Sequence, residues 1–192
     1  MNHLELAKLC QQTYGNEPPI PTQSCNGVVW AAQGNVIAFR GSESEQDWLR
    51  DFEATAYTHP QLGKVERGFF EGIQQTFAWL VKNGPKNPIF TGHSLGGAHA
   101  ALIAALYQIN GYAWQELVTF GCPRPGYAQL ANILQTSRKP MTAYRNGKDI
   151  VPTVPAAFLL WSYRTCVPWT HIGEGDDPIS DHLIANYIEA LS

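Results

Sequence analysis

Ser94 lies between two glycines in Gly92-His93-Ser94-Leu95-Gly96, after a short apolar run at 89–91 and before an alanine-rich stretch from Gly97 to about Asn110. A strand, then Gly-x-Ser-x-Gly, then a helix is the context that a nucleophile elbow requires. Glycine on both sides avoids side-chain collisions in so tight a turn. An ordinary glycine-rich turn is the alternative, but the strand, the additional glycine and the helix all favour the elbow. The pattern therefore predicts that Ser94 is a nucleophile on a strained turn.

A serine nucleophile needs a general base, and the base needs a carboxylate that orients it. The histidines that follow the elbow helix are His171 and His182. Asp149 follows a predicted strand at 141–145, and loops at the carboxyl ends of strands are where sites in α/β proteins assemble. Taken alone, Asp149 is better explained as a turn-capping residue. At the start of the elbow helix, the backbone N–H of Leu95 can point at a developing oxyanion.

The elements that must position these residues alternate along the chain. Helices are predicted at about residues 4–14, 43–52, 69–83, 97–110, 126–136 and 181–191, from apolar residues at helical spacing and from capping residues. Strands are predicted at 27–32, 36–39, 89–91, 116–121 and 141–145, with short pieces near 56–57 and 65 and a candidate at 158–165. The first two strands form a hairpin. This alternation predicts one α/β domain over residues 1–192, with a mainly parallel central sheet and helices on both faces.

Composition excludes several classes of protein. The net charge of −3 gives no basic patch, so a nucleic-acid partner is not expected. No apolar run is long enough for a transmembrane helix, and the first residues lack the pattern of a signal peptide, which favours a cytoplasmic location. The four cysteines have no metal-binding spacing and are expected to be free thiols. The acidic residues between His171 and His182 are better explained as a solvated loop than as a metal site.

Taken together, the motifs resemble those of the class 3 lipases, an α/β-hydrolase family that includes fungal triacylglycerol lipases and feruloyl esterases. The resemblance runs from about residue 36 to 188. It rests on the following blocks: Phe39–Ser42 with Asp47–Asp51, Gly68–Phe69, Gly92–Ala98, Thr119–Gly126, Asp149–Pro152 with Pro155, and His182 with Tyr187. The chain is shorter than typical members between Asp149 and His182, and Cys122 stands where serine is common.

The resemblance implies a role for each matched residue. Ser94 would be the nucleophile, Asp149 the orienting acid and His182 the base, with Ser42 as a second oxyanion donor beside Leu95. His171 matches a non-catalytic histidine of the family, so His182 is favoured as the base.

Residues of the substrate site are predicted from the same comparison. The segment with Trp48, Leu49 and Phe52 corresponds to the family's lid; a mobile gate over an acyl groove and a fixed surface helix are equally compatible with it. His93 is expected to be a packed residue or a wall of the substrate site.

The expected activity is hydrolysis of a carboxylic ester through an acyl-enzyme, with no cofactor and no metal. The substrate would be a small-molecule or lipid ester, and contact with a lipid surface would be transient. So short a predicted gate favours short- to medium-chain esters. The alternatives are an interfacially activated lipase for long-chain triacylglycerols and a catalytically silent binding module on the same fold.

Overall fold

The computed structural model describes residues 1–15, 19–43, 55–155 and 163–192. Nearly all of the predicted helix at 43–52, with Trp48, Leu49 and Phe52, lies outside these ranges, as does most of the predicted strand at 158–165. None of the helices in the described ranges is long and apolar enough to cross a membrane.

The described helices are α1 (His3–Gln11), α2 (Arg67–Phe70), α3 (Ile73–Asn83), α4 (Leu95–Ile109), α5 (Ala128–Thr136) and α6 (Ile184–Ala190), with 3-10 turns at Val151–Thr153 and Ser180–His182. The described strands are β1 (Thr22–Cys25), β2 (Val28–Gln33), β3 (Val36–Phe39), β4 (Ala56–His59), β5 (Gly63–Glu66), β6 (Ile89–His93), β7 (Glu116–Phe120), β8 (Gly126–Tyr127), β9 (Met141–Asn146), β10 (Tyr163–Arg164) and β11 (Trp169–Ile172).

Seven of the described strands form the central sheet, in the order β1-β2-β3-β6-β7-β9-β11. The first three pair in antiparallel fashion, as the predicted hairpin requires. From β3 onward each neighbouring pair is parallel. The carboxyl ends of β3, β6, β7 and β9 therefore meet at one edge, where the residues that follow them can form a site. A smaller antiparallel sheet has the order β10-β8-β5-β4.

Helices cover both faces of the central sheet, as predicted. Alternate residues of β3 enter different cores: Ile37 and Phe39 pack with residues of α3, α4 and α5, whereas Val36 and Ala38 pack with α1 and with Tyr187 of α6. This alternation follows from the period of two along a strand. All four cysteines are free, as expected.

Two predicted helices are each broken into two pieces. The helix predicted at 69–83 is divided between α2 and α3 because Gly72 adopts φ +76°, where a Cβ would also lie close to the backbone oxygen of Asn26. The helix predicted at 181–191 is interrupted at Leu183, which is extended (φ −60°, ψ 132°) between the 3-10 turn and α6.

Three strands were not predicted. Strand β1 lies in a stretch expected to be a loop, β8 takes the first two residues of the helix predicted at 126–136, and β11 forms an edge of the central sheet. Each is at most four residues long and is held by its strand partners, so periodicity alone gives little signal for it.

Candidate active site

Ser94 occupies a strained turn between β6 and α4. Its backbone has φ 55° and ψ −130°, a left-handed conformation that L-residues rarely adopt. Gly92 and Gly96 permit the turn: a Cβ on Gly92 would meet the backbone oxygen of Gly96, and a Cβ on Gly96 would meet that of Phe39. Strand, turn and helix thus have the arrangement of a nucleophile elbow.

Asp149 and His182 come together beside this turn. The Nδ1 of His182 lies 2.8 Å from Oδ2 of Asp149, and both side chains are at most 1% exposed. Because a carboxylate accepts only, Nδ1 carries the proton and donates it. The Nε2 nitrogen is then left as the basic nitrogen of the neutral ring, which is the tautomer that a general base for serine requires.

The carboxylate of Asp149 is held by two further donors. The hydroxyl of Tyr187 donates to Oδ2, and the backbone N–H of Val151 donates to Oδ1 over 2.8 Å. Burial and the nearby Asp149 raise the pKa of Tyr187 well above its ordinary value, so the phenol keeps its proton. The Arg145 Nε donates to the backbone oxygen of Asp149 over 2.9 Å and fixes the loop from outside. These bonds orient a buried carboxylate whose charge would otherwise be costly.

Gly121 makes room for the Asp149–His182 pair at the end of β7. It has φ +59°, and a Cβ there would lie 2.7 Å from Cε1 of His182 and 2.9 Å from Oδ2 of Asp149. Any side chain would therefore displace the pair, and the sequence alone gave no reason for glycine here beyond the family block.

The loop after β3 brings the predicted oxyanion donor Ser42 to the elbow. A Cβ on Gly41 would lie 2.8 Å from the backbone oxygen of His93 and 3.0 Å from the Cβ of Ser94, so this loop packs directly on Ser94. Leu95 is the first residue of α4, where N–H groups have no partner within the helix. The Oγ of Ser94 is buried and has no hydrogen-bond partner among the described residues.

His93 does not have the position expected of a substrate-binding residue. It is fully buried, its Nδ1 lies 2.7 Å from the Tyr14 hydroxyl, and its Nε2 lies 2.7 Å from the backbone oxygen of His182. Both ring nitrogens are occupied by the protein, so neither is left for a substrate. The packed interpretation of this residue agrees with the structure, and the wall interpretation does not.

The other candidates are separated from the pair. His171 lies exposed on the edge strand β11, where its ring meets Trp169 edge-on at 6.1 Å. The acidic segment before His182 contains no group of side chains that could hold a metal, as far as the described residues show. Trp48, Leu49 and Phe52 fall outside the described ranges, so their predicted role in substrate binding stays a prediction.

The elbow, the acid–histidine pair and the sheet that carries them define an α/β hydrolase. The sequence profile of class 3 lipases matches residues 36–159, and the chain belongs to this family. The chain is 35% identical to a lipase from Rhizomucor miehei over 135 residues, which is 63% of this chain and 37% of the relative. It is 31% identical to a secreted mono- and diacylglycerol lipase from Fusarium solani over 143 residues, 69% of this chain and 42% of the relative. The chain thus spans about two fifths of the length of these curated relatives.

Solved structures agree with the fold. A triacylglycerol lipase whose catalytic centre is a serine-protease triad superimposes with a TM-score of 0.69 at 24% identity, over 91% of this chain and 80% of the other. A fungal lipase–inhibitor complex that served as a model for interfacial activation gives 0.57 at 29% identity, over 80% and 63% of the two chains.

Proposed function

We propose that this chain hydrolyses carboxylic esters with Ser94 as nucleophile, His182 as base and Asp149 as the acid that orients it. The observation that carries the proposal is the 2.8 Å bond between His182 Nδ1 and Asp149 Oδ2 beside the strained Ser94 turn. A catalytically silent module has no need of a buried carboxylate whose bonds fix the histidine in the basic tautomer.

The chemistry proceeds in two halves. The Ser94 oxygen attacks the ester carbonyl while His182 Nε2 takes the hydroxyl proton, and the Asp149 carboxylate stabilises the imidazolium. The N–H groups of Leu95 and Ser42 bind the oxyanion; in other enzymes one such donor contributes about 2.7–4 kcal/mol. The imidazolium then protonates the leaving alcohol, and water repeats the cycle on the acyl-enzyme. No step requires a metal or a cofactor.

The substrate would carry an apolar acyl group. Ile150 and Leu183 directly follow Asp149 and His182 and are 43% and 47% exposed. The N–H of Ile150 donates to the backbone oxygen of Pro178, the residue before Ile179, whose side chain is also 47% exposed. Exposed apolar side chains next to the reacting groups favour a lipid-like ester over a charged one. The relatives' activity on mono- and diacylglycerols supports the same class of substrate.

Labelling with a fluorophosphonate tests the proposal. The wild-type chain should become covalently labelled and should hydrolyse p-nitrophenyl butyrate, whereas Ser94→Ala should do neither. The Ser94→Ala variant should remain folded within about 1 kcal/mol of wild type, because the lost hydroxyl makes no hydrogen bond to the described residues. A folded wild-type protein that resists labelling would favour the silent binding module.

A further inference from the structure

His93 immediately precedes the nucleophile and lies against the proposed base. Its ring and that of His182 are stacked with centroids 4.8 Å apart and an interplanar angle of 30°. Its two nitrogens bridge the Tyr14 hydroxyl, which follows α1, and the backbone oxygen of His182, each over 2.7 Å. The ring of Tyr187 makes a T-shaped contact with the His93 ring at a centroid distance of 5.9 Å. One buried ring therefore connects the N-terminal segment with the residue that must move the proton.

The partners of His93 determine its tautomer. A backbone oxygen only accepts, so Nε2 must carry a proton and donate to His182. In a neutral ring Nδ1 is then an acceptor, and the Tyr14 hydroxyl donates to it. Burial and the proximity of His182 lower the pKa of His93 well below its ordinary value, so the ring is neutral at physiological pH.

The bond to His182 lies where the backbone changes direction. Leu183 is extended between the 3-10 turn and α6, so the carbonyl group of His182 stands at a break between two helical segments. A break of this kind has more conformational freedom than a continuous helix unless other groups hold it. His93 restrains this break by a hydrogen bond to the backbone oxygen of His182, and its ring stacks on the ring of His182.

We propose that His93 is a positioning residue for His182, which it holds through the backbone carbonyl and through ring stacking, with the Tyr14 hydroxyl selecting the required tautomer. The inference rests on the proposed function, in which His182 is the base. It assigns no proton transfer to His93.

A neutral neighbour also suits the charge that His182 acquires. When His182 becomes an imidazolium, a second charged ring at 4.8 Å would oppose it, whereas a neutral imidazole does not. Small errors in the orientation of the base are costly, since a displacement of about 1 Å can lower a rate about 10²-fold. His93 therefore acts on the rate of the chemical step and not on substrate affinity.

Three variants separate the contacts. His93→Leu removes both hydrogen bonds, His93→Gln keeps an amide N–H for the His182 carbonyl, and Tyr14→Phe removes only the hydroxyl. The matched control is His99→Leu, which replaces another buried histidine outside the site. We expect kcat for p-nitrophenyl butyrate, per site titrated with fluorophosphonate, to fall at least about tenfold in His93→Leu with KM within about twofold. His93→Gln should recover part of the loss, and the control should match wild type.

The pH profile gives a readout that a merely structural role would not move. In His93→Leu and Tyr14→Phe, the pH at which kcat/KM falls on the acid side should differ from that of wild type, because the surroundings of His182 have changed. If kcat per titrated site stays within about twofold of wild type and this pH is unchanged in both variants, His93 does not position His182.

Histidine NMR keeps the inference testable without activity. Long-range ¹H–¹⁵N spectra of the wild-type protein should show His93 with Nε2 protonated and Nδ1 unprotonated between pH 8 and pH 6. A protonated Nδ1 at neutral pH would overturn the proposal. A wild-type protein with the expected tautomer that neither labels nor hydrolyses would instead refute the proposed function, and the positioning role would fail with it.

Discussion

Asp149 receives its hydrogen bonds from three separate segments of the chain. Val151 donates from the following 3-10 turn, His182 from the 3-10 turn before α6, and Tyr187 from α6 itself. Two of these donors lie 33 and 38 residues further along the chain. The orientation of this carboxylate is thus a product of tertiary packing.

The choice of base is tested by a pair of histidine variants. His182→Ala should reduce kcat nearly as much as Ser94→Ala, since members of a triad act as a unit and their losses do not add. His171→Ala should retain most of kcat, because His171 lies exposed on β11 and its ring meets Trp169. The measurement is kcat on p-nitrophenyl butyrate, with circular dichroism as the folding control. The opposite ranking of the two variants would make His171 the base.

Residue types and spacing predicted part of this site. The glycines around Ser94 and the position of Asp149 after a strand are local signals, and the family resemblance supplied His182. The proposed roles of His93 and Tyr14 had no such signal, because their bond joins residues 79 positions apart. The glycine at position 121 was equally hard to predict from the sequence. A side chain is excluded there only because His182 and Asp149 pack against this position.

At the scale of elements, the points where predicted helices are interrupted help to position the site, as the helices themselves do. Leu183 interrupts a predicted helix and lets His182 face Asp149, and Gly72 interrupts another where the chain passes the turn at Asn26. Helical periodicity continues through both breaks, so the pattern predicted two uninterrupted helices. The buried strands were easier to predict, because β3 is apolar along its whole length and β6, which is buried throughout, begins with the apolar pair Ile89 and Phe90.

The tight contact between the elbow and β3 gives a prediction at this scale. Gly96→Ala should lower the free energy of unfolding by about 3 kcal/mol or more, because the new Cβ meets the backbone of Phe39, which cannot move aside as a side chain would. The matched control is Gly34→Ala, where φ is +60° but nothing lies within 4 Å. That variant should cost about 1–2 kcal/mol from backbone strain alone. Urea unfolding measures both, and equal losses would contradict the packing described for the elbow.

At the scale of the whole molecule, the fold places the proposed nucleophile, acid and base after different strands of one sheet. Ser94 follows β6, Asp149 follows β9, and His182 lies in the 3-10 turn that comes after β11 in the chain. The alternation of strands and helices was sufficient to predict this α/β arrangement. Short edge elements such as β1 and β11 were not predictable, since their partners lie elsewhere in the sheet.

The size of the apolar surface around the site predicts which esters are hydrolysed fastest. Among the described residues, exposed Ile150, Ile179 and Leu183 lie near the proposed acid and base in the chain, and together they present no more than about a few hundred Å², within the ordinary range for monomers. Bound chain beyond such a surface gains no burial free energy, so p-nitrophenyl butyrate should be hydrolysed faster than the palmitate. The rate should rise smoothly as the ester passes its solubility limit. A jump at that limit, abolished by changing Trp48 and Phe52 to serine, would favour the interfacial long-chain lipase instead.

We expect buried histidine to make the fold sensitive to acid. His99 on α4 packs edge-on against Phe39, and its Nδ1 has no hydrogen-bond partner among the described residues. Burial lowers its pKa from 6.5 to about 4. The unfolded chain therefore binds a proton below pH 6.5 that the folded chain does not accept until about pH 4. The contribution of His99 to stability is therefore fully present above pH 6.5 and is lost as the pH decreases towards 4.

The contribution of His99 to this loss can be measured directly. Its lowered pKa corresponds to about 3 kcal/mol between neutral pH and pH 4. His99→Leu removes the titration and leaves an apolar side chain beside Phe39, so its unfolding free energy should decrease less on acidification than that of wild type. His171→Gln, on the exposed edge, should behave as wild type. Urea unfolding at pH 7.5 and pH 4.5 provides the comparison.

His93, whose pKa is also lowered by burial, remains in both variants, so some acid sensitivity should persist after His99 is replaced. An unchanged loss in His99→Leu would mean that His99 is not what makes the fold acid-sensitive.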